Sequence, residues 1–142
     1  MRAVRWPHLA LVGVCVLHAL LPFLVLGGHV PLGWDETVYV SQIAPHHVAG
    51  YFSAPRARGV SLLTAPVSLV TSSLLALRAW LAFLSAVGLY AGMRPWLRAV
   101  GGWTVPLAAA LWSGLWISMF YGDAAMPNQW VAFAALAATG WF

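Results

Sequence analysis

Long apolar runs separated by short polar stretches set the organisation of this chain. The first run, Leu9 to Gly28, carries no charged residue. About 20 residues at about 1.5 Å per residue cross a hydrocarbon core. Arg2 and Arg5 precede it, and His29-Val30-Pro31-Leu32-Gly33-Trp34 after it offers no good small-x-small cleavage site, so a retained signal-anchor helix is expected rather than a cleaved leader. The stretch from Gly28 to Arg58 is too polar to span. Within it, Asp35 to about Val48 reads as an amphipathic helix on the membrane surface, N-capped by Asp35 and closed off before Pro55. Ser61 to Thr71, with Pro66 inside, is short for a span and reads as a second interfacial helix or as the first turns of the next span.

Leu74 to Met93 predicts a second span. Arg78 lies near its start, where a long cation can snorkel to the interface. Arg94-Pro95-Trp96-Leu97-Arg98 and Gly101-Gly102 form a basic turn. Trp103 to Tyr121 predicts a third span, Gly122 to Gln129 a short loop, and Trp130 to Phe142 the opening of a fourth span that is too short to cross, which predicts that the chain continues. The expected fold is therefore all-α: one polytopic membrane domain over residues 1–142. It has three full transmembrane helices (9–28, 74–93, 103–121), a partial fourth (130–142), and interfacial helices in the first external loop.

Arginine placement orients these spans. Arg2 and Arg5 before the first, and Arg94 and Arg98 after the second, all belong on the cytoplasmic side if the N-terminus is cytoplasmic. Arg56 and Arg58 are exceptions in the long external loop of residues 29–73. The protein is expected in the plasma membrane. All three acids, Asp35, Glu36 and Asp123, then fall outside, in the loops 29–73 and 122–129.

Composition narrows the class. Hydrophobic residues make up 62% and charged residues 7%, against about 25% charged in an ordinary soluble domain. The net charge of +4 comes from seven arginines that form no patch, so no nucleic-acid partner is expected; membrane lipids are. Cys15 is alone and lies in an apolar run, so no intrachain disulfide can form.

Chemistry concentrates just outside the first span, at Gly33-Trp34-Asp35-Glu36-Thr37-Val38-Tyr39. Adjacent carboxylates at a bilayer surface are costly unless solvated or used. One can serve as a general base toward an acceptor hydroxyl; the structural alternative is that Asp35 N-caps a helix and Glu36 favours its dipole. Arg56, Arg58 and Arg78 suit bidentate phosphate binding, and Arg56 and Arg58 also suit lipid headgroups. His46 and His47 point about 100° apart on a helix, which disfavours a shared metal. His18, mid-span, is expected to hydrogen-bond to a neighbouring helix.

The Asp35-Glu36 pair followed by Tyr39 resembles the first external loop of GT-C superfamily membrane glycosyltransferases, of the ArnT-like and protein O-mannosyltransferase-like kind. Arg58-Gly59-Val60-Ser61-Leu62-Leu63 with Pro66 is similar to that family's loop helix. Leu77-Arg78-Ala79-Trp80-Leu81 is similar to the start of its second span, and Tyr121-Gly122-Asp123-Ala124-Ala125-Met126-Pro127-Asn128 to its second external loop. The Glu-Lys-Pro-Pro stretch of ArnT-like first loops is absent, with Ala57-Arg58-Gly59-Val60 in its place. The resemblance implies a polyprenyl-phosphate-sugar donor and inverting transfer, with Asp35 as catalytic base and Glu36 in support. Tyr39, Arg56, Arg58, Arg78 and Asp123 would bind substrate. It also implies a divalent cation, Mg²⁺ or Mn²⁺, in those members that use one, although no metal ligand set is assigned in this chain. The alternative reading is a non-enzymatic membrane subunit or transporter piece, a transporter being disfavoured by the lack of any acid mid-span.

Overall fold

The structure is a computed structural model describing residues 5–26, 30–45, 47–53, 56 and 58–142. Expectations that rest on Arg2, Gly28, His29, His46, Pro55 and Ala57, or on the side chain of Arg5, lie outside the described residues. Among those described the chain is all-helical: α1 (Arg5–Leu26), α2 (Trp34–Ser41), α3 (Gly59–Ser68), α4 (Leu74–Met93), α5 (Trp96–Ala99), α6 (Thr104–Gly114), α7 (Trp116–Tyr121) and α8 (Pro127–Trp141). Two stretches, Trp6–Leu26 and Leu74–Ala99, are long and apolar enough to cross a membrane by length and composition.

Helix α4 has the bounds its sequence predicts, opened by Ser73, whose hydroxyl accepts from the Ala76 N–H. The third apolar run differs from expectation. It is no single helix over Trp103–Tyr121, because Leu115 is extended (ψ 130°) and separates α6 from α7. Gly114 is a weak helix former, and the Ser113 hydroxyl bonds back to the Ala109 carbonyl, which loosens this turn. The fourth run starts earlier than expected, at Pro127, a residue suited to a first helical turn. Gly101 and Gly102 turn the chain into α6 with φ of 74° and 61°, a conformation that favours glycine.

Helices α1, α4, α6 and α8 form the bundle: α4 packs against α1 and α8, and α1 also packs against α6 and α7. Leu11, Cys15, Leu89, Met93, Val105, Ala109 and Phe133 make its core. The α4–α8 approach is close because Gly88 and Gly92, four residues apart, leave one face of α4 bare. A Cβ on Gly88 would stand 2.5 Å from the Phe133 ring, and one on Gly92 would stand 3.2 Å from the Phe133 carbonyl. Small residues at this spacing let helix backbones meet where lipid supplies no hydrophobic drive. The interior also holds a polar node. His18 of α1 and Ser85 of α4 lie 2.9 Å apart, and Gln129 of α8 is 2.9 Å from each. His18 thus meets neighbouring helices, as expected. A second core, of Tyr39, Val60, Leu77, Leu81 and Ala125, joins α2 and α3 to the end of the bundle where α4 begins.

Helix α2 is shorter than the Asp35–Val48 expectation. Ser41 donates to the Val38 carbonyl and accepts from Gly50 N–H; Gln42 donates to the carbonyls of Val38 and Gly50. These bonds end the helix by folding residues 47–50 back onto it, and Pro45 disfavours further helical turns. The N-cap is Gly33 rather than Asp35, which sits in the first turn. Glu36 reaches back to the Gly33 N–H at 2.9 Å, half of a capping box that glycine cannot complete.

Candidate functional site

The start of α2, the start of α4 and the turn between α7 and α8 meet at one end of the bundle. Arg94 and Arg98 lie at the other end of α4, about 30 Å away by its 20-residue length. At the meeting point stands Arg78. It does not snorkel: its side chain is only 3% exposed. One terminal nitrogen donates to Glu36 Oε1 at 2.6 Å and to the Asp123 carbonyl at 2.9 Å. The other donates to Glu36 Oε2 at 3.1 Å and to the carbonyls of Val30 and Pro31 at 3.1 and 3.3 Å. The sequence places a cation within an apolar run, and burial obliges it to find a carboxylate and carbonyl acceptors.

Glu36 is equally engaged. Beside the bidentate pair with Arg78, Oε1 accepts the Ala125 N–H at 2.8 Å and Oε2 the Gly33 N–H. Both oxygens are therefore spent on holding three chain segments together. Asp123 is buried, with Oδ1 4.0 Å from Arg78. Burial pushes its carboxyl above the ordinary carboxylate range; Arg78 opposes that rise and the Glu36 charge adds to it. One cation thus faces two carboxylates.

Asp35 has a different setting. It is 45% exposed and pairs through Oδ1 alone with Arg56, which also donates from Nε to the Ser53 hydroxyl at 3.2 Å. The Arg56 guanidinium lies 5.5 Å from the centre of the Tyr39 ring. Its hydrogen bond to Asp35 holds it more firmly protonated than a free arginine. Tyr39 is buried and meets Phe52 edge to face, so it props the loop under Arg56. Arg58 is exposed and precedes α3 as its N-cap residue, away from these pairs among the described contacts.

Asp35 lines one of two cavities here, and its partner Arg56 lines the other. One, of about 330 Å³, is walled by Leu26, Pro31, Trp34, Phe120, Tyr121 and Met126, with Asp35, Glu36, Arg78 and Asp123 on its polar side. The other, of about 320 Å³, is lined by Trp34, Thr37, Tyr51, Ser53 and Arg56 among others, and by no acid. Both sizes suit a small ligand. A further cavity, of about 400 Å³, is lined by His47 as its one titratable side chain among the described residues.

The structure brings Asp35, Glu36, Tyr39, Arg56, Arg78 and Asp123 to one end of the bundle. Sequence reasoning missed the Val30 and Pro31 carbonyls, the Ala125 N–H, and the aromatic walls from Phe120 and Tyr121. Arg78 itself was the available signal, since a buried cation demands such partners. The donors do not fit a divalent cation. Glu36 has no free oxygen, Arg78 stands beside Asp123, and no three His, Cys, Asp or Glu side chains converge among the described residues. Comparison with family models, curated proteins and solved structures finds no match for the chain.

Proposed function

We propose that this chain is part of a membrane glycosyltransferase of GT-C type, acting on a polyprenyl-phosphate sugar at the external face of the plasma membrane. In this reading the N-terminus is cytoplasmic, α6 and α7 together make a broken third span, and α8 belongs to a fourth. The observation that carries the proposal is the division of labour between neighbouring carboxylates. Glu36 is locked into the frame, while Asp35 is half exposed at the edge of a cavity with aromatic and apolar walls.

The reaction proposed is the inverting transfer that the resemblance implies. Asp35 takes the proton of an acceptor hydroxyl, and the hydroxyl oxygen forms a bond to the sugar's anomeric carbon. The bond from that carbon to the phosphate oxygen breaks, and the lipid phosphate leaves with its electron pair, inverting the anomeric centre. Glu36 acts as a positioning residue through α2. Asp123 lines the cavity where an acceptor hydroxyl would sit. No step is routed through a metal.

The test uses the full gene product in lipid vesicles, with polyprenyl-phosphate hexose as donor and membranes of the source cell as acceptor. Asp35→Asn is expected to slow donor consumption by about 10²–10⁴-fold with the fold retained. Wild-type turnover in that variant would sink the base assignment. Lack of donor consumption by the wild type would favour the non-enzymatic subunit or transporter reading.

A further inference from the structure

The polar node inside the bundle leaves two polar groups over. His18 Nε2, Ser85 Oγ and one end of the Gln129 amide stand 2.9 Å from one another. With either placement of the amide's oxygen and nitrogen, its other end has no partner among the described residues, although Gln129 is only 5% exposed. The node is deep: Ser85 lies seven residues beyond Arg78 on α4, about 10 Å along the helix axis. Gln129 also lines a cavity of about 140 Å³ against the broken helix, with Trp112 before the break at Leu115 and Ile117 and Ser118 after it. The Trp112 indole N–H is likewise buried and unpartnered among the described residues. None of the residues lining this cavity is charged. Broken backbone at membrane depth is tolerated where it lines a cavity, and polar groups there are costly until they find a partner. Ile117 is 52% exposed, and Leu115 and Trp116 beside it are at least as exposed, so the outer margin of the cavity is a surface for lipid tails.

We propose that this cavity binds the hydroxyl head of an uncharged lipid alcohol that enters from the bilayer. A hydroxyl both donates and accepts, the chemistry that an amide carbonyl and an indole N–H together call for. A phosphate or carboxylate head is excluded, because no cation lines the cavity to offset the cost of taking a charge out of water. The alkyl chain leaves past Ile117 and Ala132, the apolar residues of the wall. The proposal rests on the bundle lying in a bilayer and not on the glycosyltransferase reading.

The chain has two glutamines, Gln42 and Gln129, so ¹³Cδ-glutamine labelling gives two amide signals. Gln42 bonds to the Val38 and Gly50 carbonyls, and its signal reports that this region is folded in each variant. The Trp112 indole N–H is followed by ¹⁵N labelling and assigned by Trp112→Phe. The full chain is placed in phosphatidylcholine nanodiscs and titrated with tetradecanol. The Gln129 and Trp112 signals are expected to shift saturably while Gln42 stays in place. Trp112→Phe keeps an aromatic ring and removes the N–H; read at Gln129, it should weaken tetradecanol binding by about 3–10-fold. Ala132→Leu, which adds apolar bulk at the cavity wall, should abolish the shift. Several results overturn the proposal. An equal shift from tetradecane would show a bilayer effect without a hydroxyl, and equal binding of tetradecyl phosphate would remove the uncharged head. A Gln129 signal that responds to exchange of H₂O for D₂O but ignores tetradecanol would assign the cavity to water. A shift set by the number of chains per disc would assign it to a second copy. Binding indifferent to both Trp112→Phe and Ala132→Leu would place the alcohol elsewhere.

Discussion

Asp35 and Glu36 are adjacent on the first turn of α2, and each meets an arginine. Glu36 faces into the bundle and meets Arg78 through both oxygens, with backbone N–H groups from two segments completing its shell. Asp35 faces outward and meets Arg56 through one oxygen at the edge of solvent. Neighbours on a helix point about 100° apart, and that rotation alone assigns one carboxylate to the frame and the other to the surface. A buried charge pair is costly to form and far costlier to break, whereas an exposed pair contributes little. The two pairs should therefore respond oppositely to mutation and to ligand.

The largest effect is expected at Arg78. Arg78→Met leaves Glu36 buried and unpaired, which costs about 3–5 kcal/mol. Thermal unfolding in detergent, followed by the helical signal, measures it. Removing both partners tests the point further. A buried ion pair replaced by apolar side chains is often neutral, but Arg78 also serves the carbonyls of Val30, Pro31 and Asp123, and Glu36 the N–H groups of Gly33 and Ala125. The Glu36→Leu/Arg78→Leu double variant should thus stay destabilised, and recovery to wild-type stability would show that the backbone bonds contribute nothing.

The next effect concerns charge balance at the same node. Burial raises the Asp123 carboxyl above its ordinary value of 3.8. A carboxyl with a raised folded-state value binds its proton more tightly in the folded protein than in the unfolded one. Its contribution to stability is fully present below 3.8 and is lost as pH rises through the folded value. The difference in unfolding midpoint between wild type and Asp123→Asn should accordingly move in favour of wild type as pH is lowered from neutral toward 4. A difference that is flat, or that moves the other way, would show that Arg78 outweighs burial at this position.

Much of the architecture was legible because it depends on local pattern. The 20-residue apolar run of α4 gave its own bounds, and the uncharged run from Leu9 gave a membrane-length helix. The break at Leu115 has only Gly114 and Ser113 as local signals, each too common to decide a helix end. The early stop of α2 depends on Gly50 reaching Ser41 and Gln42, a contact no periodicity reports. At the site, the polar residues could be singled out by type, but not their sorting. Arg78 looked able to reach the interface, and only the convergence of Glu36, Asp123 and the Val30–Pro31 carbonyls on it turns it inward. Gly88 and Gly92 passed unremarked in the sequence, and only their approach to Phe133 shows that they let α4 and α8 meet.

The smallest effect on stability is the sharpest test of the contrast. Asp35→Asn differs from Glu36→Gln by one position, and both remove one negative charge. Asp35 is nearly half exposed, and its pair is screened by water, so its loss should move the unfolding midpoint by less than about 2 °C. Glu36→Gln removes the charge opposite a buried guanidinium and should lower the midpoint by several times that shift. If the two variants lose stability equally, Asp35 belongs to the frame as much as Glu36 does, and its exposure is no mark of function. If Asp35→Asn keeps its midpoint while donor consumption collapses, the carboxylate contributes to chemistry what it does not contribute to folding. The same measurement on Arg56→Gln sorts its partner: an unchanged midpoint places Arg56 with Asp35 on the exposed side of the helix, and a large fall places it with Arg78.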